Sequence, residues 1–407
     1  MRKTAVQLLF LLLPALQVWG LTQPNISVIG DFRSFTGDYK DDEGNDLLKS
    51  NNWNSQLNSL ELAFNGNLNP YTRADIYIAN HGEGFETEEA YVTFLRGLPF
   101  KMQLKAGQYL VDFGRLNTVH PHAYSFLDRP LSHRVFFGYD GFKDKGIQAS
   151  FLLPTSFYSK LSLNLLAGDL FEPHSHGHEE EEVIIDTAMM EEEHGHSERG
   201  TKNPIFSSRL SFFFPIGESG NVDFGLSGLY GVYQRHEEEN LDLKAQMGAI
   251  DMKFKHKPSD YSALTLQSEM IFAKHDIEDE VTEEVTDIST SGFWASIDYQ
   301  FRKQYNIGFK YDYAPGIFDY TEEVDYGFIP HEEENMTGYA KFDESNFTQS
   351  FTLFAGYMIM EETTLIRAAY TKTMYDISES LGIDRSDHYT FALQVVWSLG
   401  PHKPHDF

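Results

Sequence analysis

Between Asp387 and Leu399 the chain alternates: Tyr389, Phe391, Leu393, Val395 and Trp397 fall on one face, and His388, Thr390, Ala392, Gln394 and Ser398 fall on the other. A period of two marks an extended strand with one apolar and one polar face. The same division recurs in 305–313, where Asn306, Gly308, Lys310 and Asp312 oppose Tyr, Ile and Phe. It recurs in 293–301, where Trp294, Ser296, Asp298 and Gln300 form the polar face, and again in 347–359 and 100–110. One face suits lipid and the other suits water.

Connections between these runs alternate in length. Short turns are expected at 69–70, 97–99, 154–157, 216–220, 257–260, 302–304 and 361–363, the first five of them marked by Gly, Pro, Asn or Asp. Long connections are expected at 40–52, 81–86, 114–145, 171–203, 234–240, 275–291, 314–346 and 377–386. Seven short turns between eight long connections give sixteen strands with both termini on the short-turn side. That is the pattern of an all-β fold, a transmembrane antiparallel β-barrel of about sixteen strands with short periplasmic turns and long extracellular loops. A soluble β-sandwich also alternates, but it rarely combines this many ~10-residue strands with loops so asymmetric in length. The terminal Phe407 agrees with a barrel assembly signal.

Residues 1–20 carry Arg2 and Lys3, an apolar stretch from Val6 to Val18 and small residues near Gly20, the layout of a secretory signal peptide. The expected organisation is therefore a leader, 1–20, and a single barrel domain, 21–407, in the bacterial outer membrane. With 61 acidic and 32 basic residues, a formal charge of −29, the chain is an improbable nucleic-acid binder. It contains no Cys, so thiolate metal sites and cysteine nucleophiles are excluded. Any metal must be held by His, Asp, Glu or Met.

That chemistry concentrates in 171–203. Within 171–199 lie five histidines and ten carboxylates, including His174, His176, His178, Glu179, Glu180, His194 and His196. Imidazoles separated by Ser or Gly can converge on one ion, and imidazole with carboxylate suits Zn²⁺, Ni²⁺ or Cu²⁺. His236 and His331, each followed by three glutamates, repeat the chemistry in two other connections. The expectation is reversible binding of divalent metal, zinc first and nickel or copper as alternatives, on extracellular loops. A solvated low-complexity tract is the bland alternative. In the lumen, Arg73, Asp75, Lys101, Lys105, Lys310 and Asp312 are expected to point inward. The connection 114–145, with His120, His122, Asp128 and Arg129, is read either as a constriction packed inside the barrel or as an external cap.

Several segments resemble the zinc-regulated outer-membrane receptor or porin-like proteins of Gram-negative bacteria. They are Asn25 to Phe32, Leu60-Glu61-Leu62-Ala63-Phe64, Asn69 to Asp75, Glu88-Glu89-Ala90-Tyr91, Lys105 to Gln108, Phe113 to Asn117 with His120-Pro121-His122, and Asp128-Arg129-Pro130. The resemblance implies a barrel and a link to zinc. Some relatives are labelled TonB-dependent receptors; this chain starts its first strand near Asn25 and leaves no room for their plug, so energised transport is not carried over.

The functional expectation is a plug-less porin-like protein that captures divalent metal on its loops and admits it by diffusion. The alternative is a general or anion-selective porin with incidental metal binding. No Gly-x-Ser-x-Gly or His-Glu-x-x-His motif is present, and no catalysis is expected. The expected partners are outer-membrane lipid and lipopolysaccharide, the barrel-assembly machinery and divalent ions, with a homotrimer left open.

Overall fold

The computed structural model describes residues 24–39, 48–50, 52–82, 84–168, 204–236, 241–278, 285–316, 346–360, 363–376 and 387–401. The expected leader, the His/Glu tract of 171–203 and His331 lie outside the described residues.

In chain order the strands are β1 (Asn25–Gly37), β2 (Asn54–Asn69), β3 (Thr72–Asn80), β4 (Phe85–Phe94), β5 (Gln103–Leu110), β6 (Lys143–Leu152), β7 (Tyr158–Leu166) and β8 (Ile205–Ile216). They continue as β9 (Gly220–His236), β10 (Leu241–Ser259), β11 (Ser262–Glu278), β12 (Val285–Phe301), β13 (Tyr305–Pro315), β14 (Phe347–Met360), β15 (Thr364–Asp376) and β16 (His388–Leu399). Each pairs antiparallel with the next, and β16 returns to β1 with Val28 opposite Leu399 and Gly37 opposite Thr390. The sheet closes. Closure leaves no unpaired edge, the condition for a sheet to stand in hydrocarbon. No helix among the described residues is long and apolar enough to cross a membrane.

The alternation decides which face meets lipid. On β16, Leu393 and Trp397 are exposed on the outer wall, whereas Ala392, Gln394 and Val396 are buried inside. On β13 and β14, Ile307 and Leu353 face out while Asn306 and Thr352 face in. Aromatic ladders circle the short-turn end: Phe301 stacks on Tyr305 at 5.4 Å, and Tyr305 on Tyr357 at 5.0 Å. A second set, Tyr313 with Phe347 and Tyr370 with Tyr389, lies toward the loop end. Two such girdles bounding an apolar band are what an outer-membrane barrel presents to its bilayer. The tight reversal between β12 and β13 sets Arg302 and Lys303 at φ 54° and 61°, the left-handed geometry that closes hairpins.

Two connections are shorter than the sequence suggests. β11 continues to Glu278 and β12 starts at Val285, so His275 pairs with Ile288 in the wall; β9 continues to His236, opposite Leu241. The apolar alternation stops at the end of the lipid band, but pairing continues beyond it, held by polar contacts such as Lys274 to Asp287 at 3.0 Å.

The segment 111–142 lies inside the barrel and does not cap it. It turns at Gly114, whose φ of 62° and close approach to the Glu269 carboxylate leave no room for a β-carbon. It carries one short helix, α1 (Leu131–Phe137), packed against β12 and β13. The lumen wall is therefore not uniformly wet. Val111, Phe113, Phe136, Phe137 and Phe142 pack on Ala245, Met247 and Ala249 of β10 and on Ile271 and Ala273 of β11. Trp294, assigned to the water-facing side by its alternation, does face inward, but it packs dry against Phe126 at 5.6 Å. Burying Phe113, Phe126, Phe136, Phe137 and Phe142 stabilises this placement by roughly 8–15 kcal/mol as an upper bound, at about 1.5–3 kcal/mol per side chain.

Candidate functional site in the lumen

Polar clamps fix the inward segment from several sides. Arg33 on β1 donates to Asp128 at 2.6 Å, and Arg367 on β15 donates to the carbonyls of Phe126 at 2.9 Å and Tyr124 at 2.6 Å. Lys310 on β13 reaches Asp312 at 2.9 Å and the Asp128 carbonyl at 3.2 Å. Glu269 on β11 accepts the Arg115 N–H at 2.9 Å and stands 3.0 Å from His133, with both side chains fully buried. Lys160 on β7 donates to Asp112 at 2.8 Å. Burial would raise the Asp112 pKa, but Lys160 and Arg209 outweigh it and hold the group below its ordinary value. Each clamp joins the segment to a different strand, so it is held as part of the wall.

One side of this arrangement gathers ligand-type side chains. Glu61 comes from β2, Glu88 and Glu89 from β4, His81 from the connection after β3, and His120 and His122 from the inward segment. Two consecutive glutamates can share one side of a strand because β4 bulges: Tyr77 pairs with Glu89 and Ile78 with Thr87, leaving Glu88 as the extra residue. A bulge re-aims the side chain it inserts. His120 Nδ1 then lies 3.0 Å from Glu61 Oε2 and 3.5 Å from Glu88 Oε2, and its Nε2 lies 3.0 Å from Glu89 Oε1. His122 Nδ1 is 3.4 Å from Glu61 Oε2, and His81 Nε2 is 3.1 Å from Glu88 Oε1. Burial would lower the pKa of His120, but Glu61, Glu88 and Glu89 outweigh it and hold the imidazole well above its ordinary value. His81 is also raised, through its hydrogen bond to Glu88 against the opposing effect of burial. Among the described residues, Glu61, His120 and His122 are the group with the composition and spacing to hold a metal ion, their ligand atoms lying within 4.8 Å of one another.

The other lumen expectations separate. Arg73 and Asp75 face inward on β3 and pair at 2.8 Å, with Asn65 also donating to Asp75 at 2.8 Å. Lys105 faces inward on β5 with its ammonium 4.5 Å from the Tyr91 ring. Arg129 donates to the Asp140 carbonyl at 3.2 Å, within the inward segment. Lys101 is the exception: it closes a 3₁₀ turn, Pro99–Lys101, that precedes β5, with Phe100 and Lys101 in left-handed backbone, and Lys101 is exposed there. Of the metal expectations, His236 closes β9 in the wall, and His174, His176, His178, Glu179, Glu180, His194, His196 and His331 lie outside the described residues. Alternation alone did not single out Glu61, Glu88 or Glu89 as site residues. The signal was the pair Glu88-Glu89 inside an alternating strand, which either buries a carboxylate in lipid or forces a bulge.

The fold defines a class: a closed sixteen-strand outer-membrane β-barrel of porin type. The outer-membrane channel DcaP of Acinetobacter baumannii superimposes with a TM-score of 0.56, covering 92% of this chain and 97% of that one at 11% identity. An anion-selective porin from Comamonas acidovorans gives 0.53 over 93% and 99% at 8% identity. OprB of Pseudomonas putida gives 0.52 over 93% and 94% at 10% identity. At these identities the likeness concerns the fold. In sequence, the chain is 28% identical over 316 residues to an uncharacterized protein of Aquifex aeolicus (strain VF5), a match spanning 71% of this chain and 64% of that relative's length. No family model matches the chain.

Proposed function

We propose that this barrel is a passive outer-membrane diffusion channel whose inward segment 111–142 forms the constriction, and that it favours cations, divalent transition metals among them. The observation that carries this reading is the convergence of Glu61, Glu88 and Glu89 on one side of the inward segment, at His120. Carboxylates grouped in a low-dielectric passage concentrate cations. Of the inward basic residues, Arg33, Arg209 and Lys310 each lie within 2.6–2.9 Å of a carboxylate that offsets their charge. In this reading the His/Glu tract with His174, His176, His178, Glu179, Glu180, His194 and His196, together with His236 and His331, collects zinc reversibly outside the constriction.

The anion-selective porin among the structural neighbours supports a second reading, a general or anion-selective porin with incidental metal binding. Reversal potentials of the refolded protein in planar bilayers under a salt gradient separate the two. A cation-selective potential that shifts on adding Zn²⁺ supports the first, and an anion-selective potential indifferent to Zn²⁺ supports the second.

A further inference from the structure

The cluster around His120 does not have the geometry of an ordinary buried ion network. In such a network, buried polar atoms find hydrogen-bond partners. Here Glu61 Oε1, Glu88 Oε2 and His120 Nδ1 are buried with no hydrogen bond, although His120 Nδ1 is only 3.0 Å from Glu61 Oε2. The atoms are close but not aligned as donor and acceptor. That is how co-ligands of one ion stand: bonds of about 2.0–2.2 Å at tetrahedral angles separate ligand atoms by about 3.3–3.6 Å. Glu61 Oε2 to His122 Nδ1 at 3.4 Å and His120 Nδ1 to Glu88 Oε2 at 3.5 Å fall in that range, and Glu61 Oε2 to His120 Nδ1 at 3.0 Å is shorter, so an ion would spread that pair by a few tenths of an ångström.

The surroundings match as well. His120 Nε2 is 3.0 Å from Glu89 Oε1, and a carboxylate can only accept, so this nitrogen carries the proton and donates. Glu89 is itself fixed, its other oxygen accepting the Leu110 N–H at 2.9 Å. A carboxylate that holds one imidazole nitrogen and leaves the other for the ion is the usual outer support of a metal-bound histidine.

We propose that Glu61 Oε2, His120 Nδ1 and His122 Nδ1 form a binding site for one zinc-like divalent ion, with Glu88 beside them and Glu89 orienting His120. Two imidazoles with carboxylate select borderline transition metals over Ca²⁺ or Mg²⁺. The bound ion ties the inward segment to β2. The site rests on where 111–142 sits, and it stands whether or not the barrel conducts metal.

The test is titration of the refolded full-length protein with Co²⁺, read by the visible absorption of four-coordinate cobalt. With His174, His176, His178, His194 and His196 replaced by Asn to remove the loop ligands, one such equivalent is expected, and adding His120→Asn with His122→Asn should lose it. Glu89→Gln should weaken it about 10–100-fold without abolishing it. In that background, a band that survives His120→Asn/His122→Asn, or one that never forms, overturns the site. Should the double variant fail to fold, anomalous scattering from zinc-soaked wild-type crystals decides: a peak between Glu61 and His122 supports the site, and none overturns it. Reversal potentials, measured separately, keep a failure of this site distinct from a failure of the channel reading.

Discussion

Glu89 on β4 and His120 in the inward segment meet at 3.0 Å, joining a wall strand to a residue 31 positions away. The contact depends on the Glu88 bulge, because that irregularity lets both glutamates serve one histidine. Glu88 has no opposite number on β3, and the described β4–β5 pairs begin at Ala90. Deleting Glu88 should therefore leave both ladders in register and yield a barrel that still runs as a heat-modifiable band. Deleting Ala90, which pairs on both sides with Ile76 and Gln108, should prevent assembly because a one-residue slip exchanges the two faces. Equal outcomes for the two deletions would mean that the bulge is not where the register places it.

Arg33 and Asp128 form the clamp most easily tested. Asp128→Ala removes a charge-assisted bond worth about 1.5–3 kcal/mol, toward the lower end because the Asp128 carboxylate is 36% exposed and Arg33 keeps Asp31 at 2.8 Å. The barrel should persist while the inward segment loosens. Single-channel recordings are expected to show noisier current of larger mean conductance, and an unchanged trace would detach this clamp from the constriction.

Neighbouring positions on β16 should fail in different ways. Leu393 faces outward in the middle of the strand, so Leu393→Arg should impair membrane assembly by about 2–4 kcal/mol. Gln394 faces inward, and a water-facing position would tolerate Arg. Here, however, Gln394 is fully buried, accepting from Arg367 at 2.6 Å and donating to Asp31 at 2.9 Å. Gln394→Arg sets one guanidinium against another and removes an acceptor, about 1–3 kcal/mol. Its expected phenotype is an assembled barrel whose segment 111–142 becomes accessible to protease. Protection equal to wild type would show that the network does not hold the segment.

The wall was legible because its signal is local. The period of two in β12, β13, β14 and β16 names the lipid face residue by residue, and the alternation of short and long connections supplies the strand count and the side on which the loops lie. What happens inside the wall is not local. Nothing in the order of residues 111–142 says that Phe126 will meet Trp294 on β12, or that Arg367 on β15 will bind two of the segment's carbonyls. Lys101 shows the same limit at smaller scale: its alternation points into the lumen, but the left-handed turn at Phe100 and Lys101 delays the start of β5 to Gln103.

Protons and metal should act on the His120 cluster in opposite directions. Glu61, Glu88 and Glu89 outweigh burial and raise His120 well above the ordinary value, so the metal-free barrel binds an extra proton that the unfolded chain releases. That contribution to stability is fully present below the unfolded value of about 6.5 and is lost as pH rises through the folded value. A metal ion needs the deprotonated nitrogen, so its affinity at the cluster should keep rising with pH above neutrality. A metal site built on unperturbed imidazoles would instead gain most of its affinity between about pH 5.5 and about pH 7.5. Zinc titrations of the five-histidine loop variant, repeated from about pH 6 to about pH 9, isolate the cluster. Its affinity should climb throughout, and protease protection of 111–142 should fall with pH without zinc but hold with it, since a ligand bound only by the folded state stabilises it. An affinity that levels off near neutrality, or protection that rises with pH in the absence of metal, would contradict the charge balance assigned to His120 and its three glutamates.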